Sequence, residues 1–138
     1  MNAPLYTTEI LRLAASLGDA RELEREDGRA ELRSPTCGSR IETAVALDED
    51  GHIVALSQRV HACAFGQASA ALLERSVPGR SRDDVEQALA RLSGWLEGAG
   101  SDPGWGLAKL APARSRTSRH GAITLPFRAL LAAMDSAR

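Results

Sequence analysis

The run RIETAVALDEDGHIVALSQRVH, residues 40–61, constrains the chain more than any other. Ile41, Thr43, Val45 and Leu47 alternate with Glu42, Ala44 and Ala46; an Asp- and Gly-rich turn follows, and Ile53, Val54, Ala55, Leu56, Gln58 and Val60 resume the apolar pattern. Alternation with period two on both sides of a short turn is the signature of two half-buried strands in a β-hairpin. Placing the turn at Asp48 to His52 sets Leu47 against Ile53, and continuing that ladder to its open end brings Cys37 opposite Cys63. Paired α-carbons of an antiparallel ladder lie roughly 4.5 to 5.5 Å apart, so the two thiols are expected to converge on one rim. Pro35 and Gly38 favour a loop position for Cys37 just before the strand, and Cys63 falls between the strand end and a helix start.

Helical spacing surrounds this hairpin. Before it, TTEILRLAASLG repeats apolar residues close to helical period, with a threonine available as N-cap and Gly18 as stop. Residues 19–34 alternate charges around Asp27-Gly28 and read either as a polar-faced hairpin or as a loop leading into an edge strand. After it, FGQASAALLERSV reads as a helix of small residues packed closely on the sheet, ended by Pro78-Gly79. Ser81 suits an N-cap, and Val85, Leu89, Leu92 and Leu96 form the buried stripe of a longer helix. WGLAKLA reads as a short helical piece and residues 112–119 as irregular chain. A last helix carries Leu125, Phe127, Leu130, Leu131 and Met134, with Thr124 as cap and Pro126 in its first turn. Trp95 and Trp105 read as core and loop anchors, and His52 as an exposed turn residue. Antiparallel strands followed by helices that cover only one face make the expected class α+β.

With 138 residues, 43% of them hydrophobic, one core is expected, large enough to fold without a disulfide framework or a metal. A net charge of -1 weighs against nucleic acid as partner. No apolar run is long enough to span a membrane, and MNAPLYTTEI lacks a basic region followed by an apolar one, so the cytoplasm is the expected compartment. Charge is unevenly spread: residues 19–50 hold ten acids against five arginines, and PARSRTSRH is the densest basic stretch. Such runs are usually solvated, though this one is suited to an acidic partner.

The thiolate is the nucleophile and metal ligand among cysteine's forms, and helix N-termini and nearby cations favour it. Cys63 is expected at such a terminus, with His61, Arg40 and Arg59 nearby. Against this stands cysteine's common role as a small buried apolar residue. A thiol enzyme would need an oriented base and an oxyanion site, neither visible here, so the chain is not expected to be an enzyme.

Three strings carry a family resemblance: SPTCGS, then HACAFGQASAAL, then RHGAITLPFRALL. Together they resemble the U-type iron–sulfur cluster assembly scaffolds (IscU, SufU and the NifU N-terminal domain), with the longer segment between Ser81 and Arg119 similar to the SufU-like branch. The resemblance implies a single NifU N-terminal-like domain over 1–138, with a small antiparallel three-stranded sheet and helices on one face. It implies Cys37 and Cys63 as the first two ligands of a cluster or metal, with Gly38 and Ser69 as matching landmarks. Ser39 stands where the family has Asp, and Ala122, or Gly121 if the alignment slides by one, where it has a third Cys. His120 then becomes a remnant ligand or a polar loop residue.

Zinc or a [2Fe–2S] cluster wants about four protein donors, and Cys37, Cys63 and His120 make at most three. Two functions follow. In one, the chain accepts sulfur or a transient iron–sulfur cluster, or zinc, on Cys37 and Cys63. His120 or His61 assists, and the donors are completed by a second subunit in a homodimer, a small thiol or a partner such as a cysteine desulfurase. In the other, it is a degenerate scaffold paralogue that binds assembly partners through the hairpin rim and residues 114–119 without metal.

Overall fold

The structure, a computed structural model, describes residues 6–35, 38–100 and 102–137. Helix α1 (Thr8–Ala15) is capped by Thr7, whose Oγ1 accepts the Ile10 N–H at 3.1 Å. A strap, residues 16–27, leads to β1 (Gly28–Arg33), the first strand of an antiparallel sheet ordered β1-β2-β3, with β2 (Arg40–Leu47) at the centre and β3 (Ile53–His61) beyond. Of the two readings of residues 19–34, the loop leading into an edge strand is the one found. Gly28 opens that strand because the chain there passes against the last helix, His120–Asp135: a Cβ would stand 1.9 Å from the Ala133 carbonyl oxygen.

After the sheet come α2 (Ala64–Ser76), α3 (Arg82–Leu96), two 3-10 segments (Leu107–Ala113 and Thr117–Arg119) and α4 (His120–Asp135). Among the described residues the helices pack on one face of the sheet, α4 against β1 and β2 and α2 against β3. The core between the layers is built around Val45, Leu56, Phe65, Leu92, Ile123 and Phe127. A smaller cluster of Ile41, Leu125 and Ala129, with Leu32 and Val60, closes the end nearer the 34–39 loop. The small side chains of α2 matter here, since Ala68, Ser69, Ala70 and Ala71 are all buried and let the helix lie close. Ser81 caps α3 in a capping box: its Oγ accepts from the Asp84 N–H, and Asp84's carboxylate accepts from the Ser81 N–H.

Two sequence expectations are corrected. The hairpin is not a regular ladder: Leu47 faces Ile53, but Ala46 faces Ala55, so Val54 is an extra residue and Arg40 ends opposite His61 rather than Val60. The bulge allows Ile53 and Leu56 both to face the core while Val54, 56% exposed, points outward. Ile53 is also pinned from its far side, donating to the Arg80 carbonyl at 2.9 Å and accepting from the Gly79 N–H at 2.8 Å. The second correction concerns α4, which begins at His120, placing Pro126 in its second turn. Thr124 is no cap; its hydroxyl donates to the His120 carbonyl at 3.2 Å.

The strap crosses the opposite, outer face of the sheet. The Arg21 N–H donates to Ser57 Oγ at 2.9 Å and the Leu47 N–H to Asp27 Oδ2 at 2.7 Å, so Ala44, Ala46 and Ser57 are buried although they point away from the helices.

Candidate functional site

Cys63 is the residue at which the chain turns from β3 into α2. It is the N-cap, with extended backbone (φ -66°, ψ 172°), and its half-buried side chain leans on the main core. The N–H groups of the first turn therefore face the end of the molecule where β3 stops. Cys63 lies two residues beyond the last pair of the ladder, and the bulge moves its register by one from that expected of the unbroken hairpin.

Facing that turn is α4. A Cβ on Gly66 would stand 2.7 Å from the Ala62 Cβ, 3.2 Å from the Ala122 carbonyl oxygen and 3.3 Å from the Ala122 Cβ. Pro126 has no N–H to donate to the Ala122 carbonyl, which instead lies against the bare Gly66 backbone. One turn further on, buried Ser69 donates its hydroxyl to the Ile123 carbonyl at 2.6 Å. The start of α2 and the start of α4 are thus clamped together. Position 122, where the family resemblance expects a third cysteine, is held against the turn that Cys63 caps, and Ala122 is 1% exposed.

The third component is the β1–β2 connection. The Ser34 N–H donates to the Ser39 carbonyl at 2.8 Å and the Gly38 N–H to the Ser34 carbonyl at 3.1 Å, closing a tight loop. Gly38 supplies the positive φ (+71°) that this turn requires. Ser34 and Ser39 are buried and Gly38 is exposed. Cys37 lies outside the described residues.

His120 begins α4, half-buried. Its Nε2 stands 3.0 Å from the Ala113 carbonyl and 3.1 Å from that of Arg114, so this nitrogen carries the proton and donates. In the neutral ring the lone pair is then on Nδ1. Backbone carbonyls holding the far nitrogen in this way also orient histidines that bind metal. His61 is exposed on the outer face of the sheet, opposite Arg40. Arg114 is committed elsewhere: its Nε donates to the Trp95 carbonyl at 2.8 Å and its guanidinium lies 4.8 Å from the Trp95 ring centre. Among the described residues no group of three or more His, Cys, Asp or Glu side chains is close enough to hold a metal ion. No helix among them is long and apolar enough to cross a membrane. The sequence reading missed the work done by Gly66; a lone glycine inside an alanine-rich helical stretch was the available signal.

No family model and no curated protein sequence matches the chain. Solved structures do. The chain is 26% identical to a nitrogen-fixing NifU-like protein (N-terminal) from Brucella abortus, with a TM-score of 0.85 over 96% of this chain and 93% of that one. It is 17% identical to a putative iron–sulfur cluster assembly scaffold protein for the SUF system from the thermophile Fervidobacterium islandicum AW-1, with a TM-score of 0.83 over 94% of this chain and 96% of that one. The chain therefore has the U-type scaffold fold, shared with NifU-like N-terminal and SufU-like proteins over nearly its whole length.

Proposed function

We propose that the chain, as a single domain over 1–138, is a scaffold-like protein of iron–sulfur cluster assembly in the cytoplasm that accepts sulfur or a labile cluster on Cys37 and Cys63. The observation that supports this most is the near-complete coverage of the NifU-like N-terminal structure at 26% identity, with Cys63 capping the helix against which α4 is clamped. In sulfur transfer, a cysteine thiolate attacks the outer sulfur of a persulfide on a donor such as a cysteine desulfurase. The new S–S bond forms as the donor's S–S bond breaks, the donor departs as a thiolate, and no external oxidant is consumed. Cys63, free and only partly buried at the N-cap of α2, is the candidate acceptor among the described residues.

As cluster or zinc carrier, the chain would offer Cys37 and Cys63 as thiolates and the Nδ1 of His120 as a third donor. A second subunit, a small thiol or a partner protein would complete the shell. The second reading, a metal-free module that binds assembly proteins, is favoured by Ala122 and Ser39 at the positions where the family has ligands.

Both readings meet in one experiment. Protein purified without affinity tag or chelator is analysed for metal, reconstituted with iron and sulfide under ultraviolet–visible spectroscopy, and separately exposed to a desulfurase with its cysteine substrate before intact-mass measurement. Cluster absorption, or one added sulfur atom, that disappears in Cys37→Ser or Cys63→Ser is the expected result. Absence of metal, cluster absorption and added sulfur together would leave the metal-free module.

A further inference from the structure

Directly opposed residues of an antiparallel sheet share a face. On the outer face, the last row before the 34–39 loop and Cys63 reads Arg33, Arg40, His61: Arg33 is paired with Arg40, and Arg40 with His61. The row behind it on the same face is Glu31, Glu42, Arg59. Glu42 is engaged by Arg29, and Glu31 reaches Arg33 only at 3.6 Å. Among the described residues no carboxylate stands within ion-pair distance of Arg40 or Arg59.

Like charges set directly opposite each other destabilise a sheet. Nothing in the packing demands arginine at both positions, because the strap is bonded to the outer face at Ser57, farther along β3, while Arg33 and His61 are exposed and Arg40 is half-buried. Elsewhere on this side Arg29 is paired with Glu26 and Glu42 and Arg25 with Asp27, while Arg59 adds a further cation without a carboxylate partner among the described residues. At the row bordering the rim Glu31 meets Arg33 only at 3.6 Å, and among the described residues Arg40 and His61 have no carboxylate within ion-pair distance, so the row keeps an excess of positive charge. We propose that Arg33, Arg40 and His61 form a docking strip for an acidic protein surface, belonging to the protein that exchanges sulfur or cluster at the rim. That partner's role, though not its charge, rests on the function proposed above. An acidic protein segment fits better than a nucleic acid, because a long polyanion laid across this face would run into the exposed Glu22, Glu24 and Glu26 of the strap.

The test uses a fluorescein-labelled oligoglutamate peptide and fluorescence anisotropy at low salt. Binding is expected to weaken about tenfold in Arg33→Gln/Arg40→Gln, the order two exposed charge contacts supply. Arg40→Lys, which keeps the charge, Arg91→Gln on α3 and Cys63→Ser should all bind like the wild type. Because a repulsive pair is relieved, the double variant should melt no lower than the wild type. The proposal is overturned if the double variant binds the peptide unchanged, or if its binding and melting temperature fall together. It is equally overturned if pyrophosphate, a short DNA duplex or a second copy of the chain occupies the row more tightly than the peptide. A wild-type chain that takes up sulfur but does not bind the peptide removes the strip and leaves the proposed function; one that binds the peptide but takes up neither sulfur nor cluster leaves the strip and removes the function.

Discussion

Gly66 shows how much one missing methyl group decides. Alanine there would gain up to about 1 kcal/mol of helix propensity over glycine, whereas forcing a carbon into a packed contact costs about 1 to 3 kcal/mol. The nearest obstacles are a Cβ at 2.7 Å and a backbone oxygen at 3.2 Å, neither of which can swing aside. Gly66→Ala is therefore expected to lower stability by about 1 kcal/mol net in urea unfolding, despite the better helix former. Position 122, on the other side of the same contact, gives a test of the ligand geometry. Ser39→Asp with Ala122→Cys would add a carboxylate and a thiolate where the family resemblance places ligands. Zinc, binding only the folded chain, should then raise the melting temperature of the double variant far more than that of the wild type, and the gain should vanish on further replacing Cys37. A folded double variant with no zinc-linked gain would show that residues 39 and 122 do not share a site with the cysteines.

At the scale of the element, the bulge in the hairpin decides which residues of β3 belong to the core. In an unbroken ladder from Leu47–Ile53, Ala55 would face inward and Leu56 outward; in the structure Leu56 is 7% exposed and Val54 56% exposed. Substituting Val54→Asp should therefore change stability by less than about 0.5 kcal/mol. Leu56→Ala should cost about 2 to 5 kcal/mol. Urea unfolding of the two variants checks the register, and a Leu56→Ala effect as small as that of Val54→Asp would mean that the regular hairpin is correct. The strands, the turn and the capping of α3 by Ser81 were legible in the sequence because alternation, Asp-Gly turns and caps are local chemistry. The bulge left a fainter trace, a change of parity between Ile53 and Leu56, and only the pinning of Ile53 against residues 79 and 80 makes it clear.

At the scale of the whole molecule, Arg82 at the start of α3 joins Asp135 at the end of α4 through a pair of hydrogen-bonded contacts and also binds Glu86. The hydrogen bond from Arg82 holds the Asp135 carboxyl below its usual range. A depressed carboxyl stabilises the fold above its unfolded value and loses that contribution as pH falls through the lower folded value. Asp135→Asn should accordingly flatten the acid limb of the stability curve below about pH 4, with little effect near neutrality because the pair is exposed, and added salt should shrink the difference. By itself the sequence determined the α+β class, the hairpin, most helix positions and the start of a helix at Cys63, since each follows from periodicity and capping within a few neighbouring residues. Residues distant in sequence settled the rest. The approach of Ala122 to Gly66, the clamp of Ser69 on the Ile123 carbonyl and the capture of His120 Nε2 by the carbonyls of residues 113 and 114 depend on helices meeting across the core. The basic row of Arg33, Arg40 and His61 exists only because three strands pair in one particular register, and strand pairing is set by which side chains the completed core has room to bury.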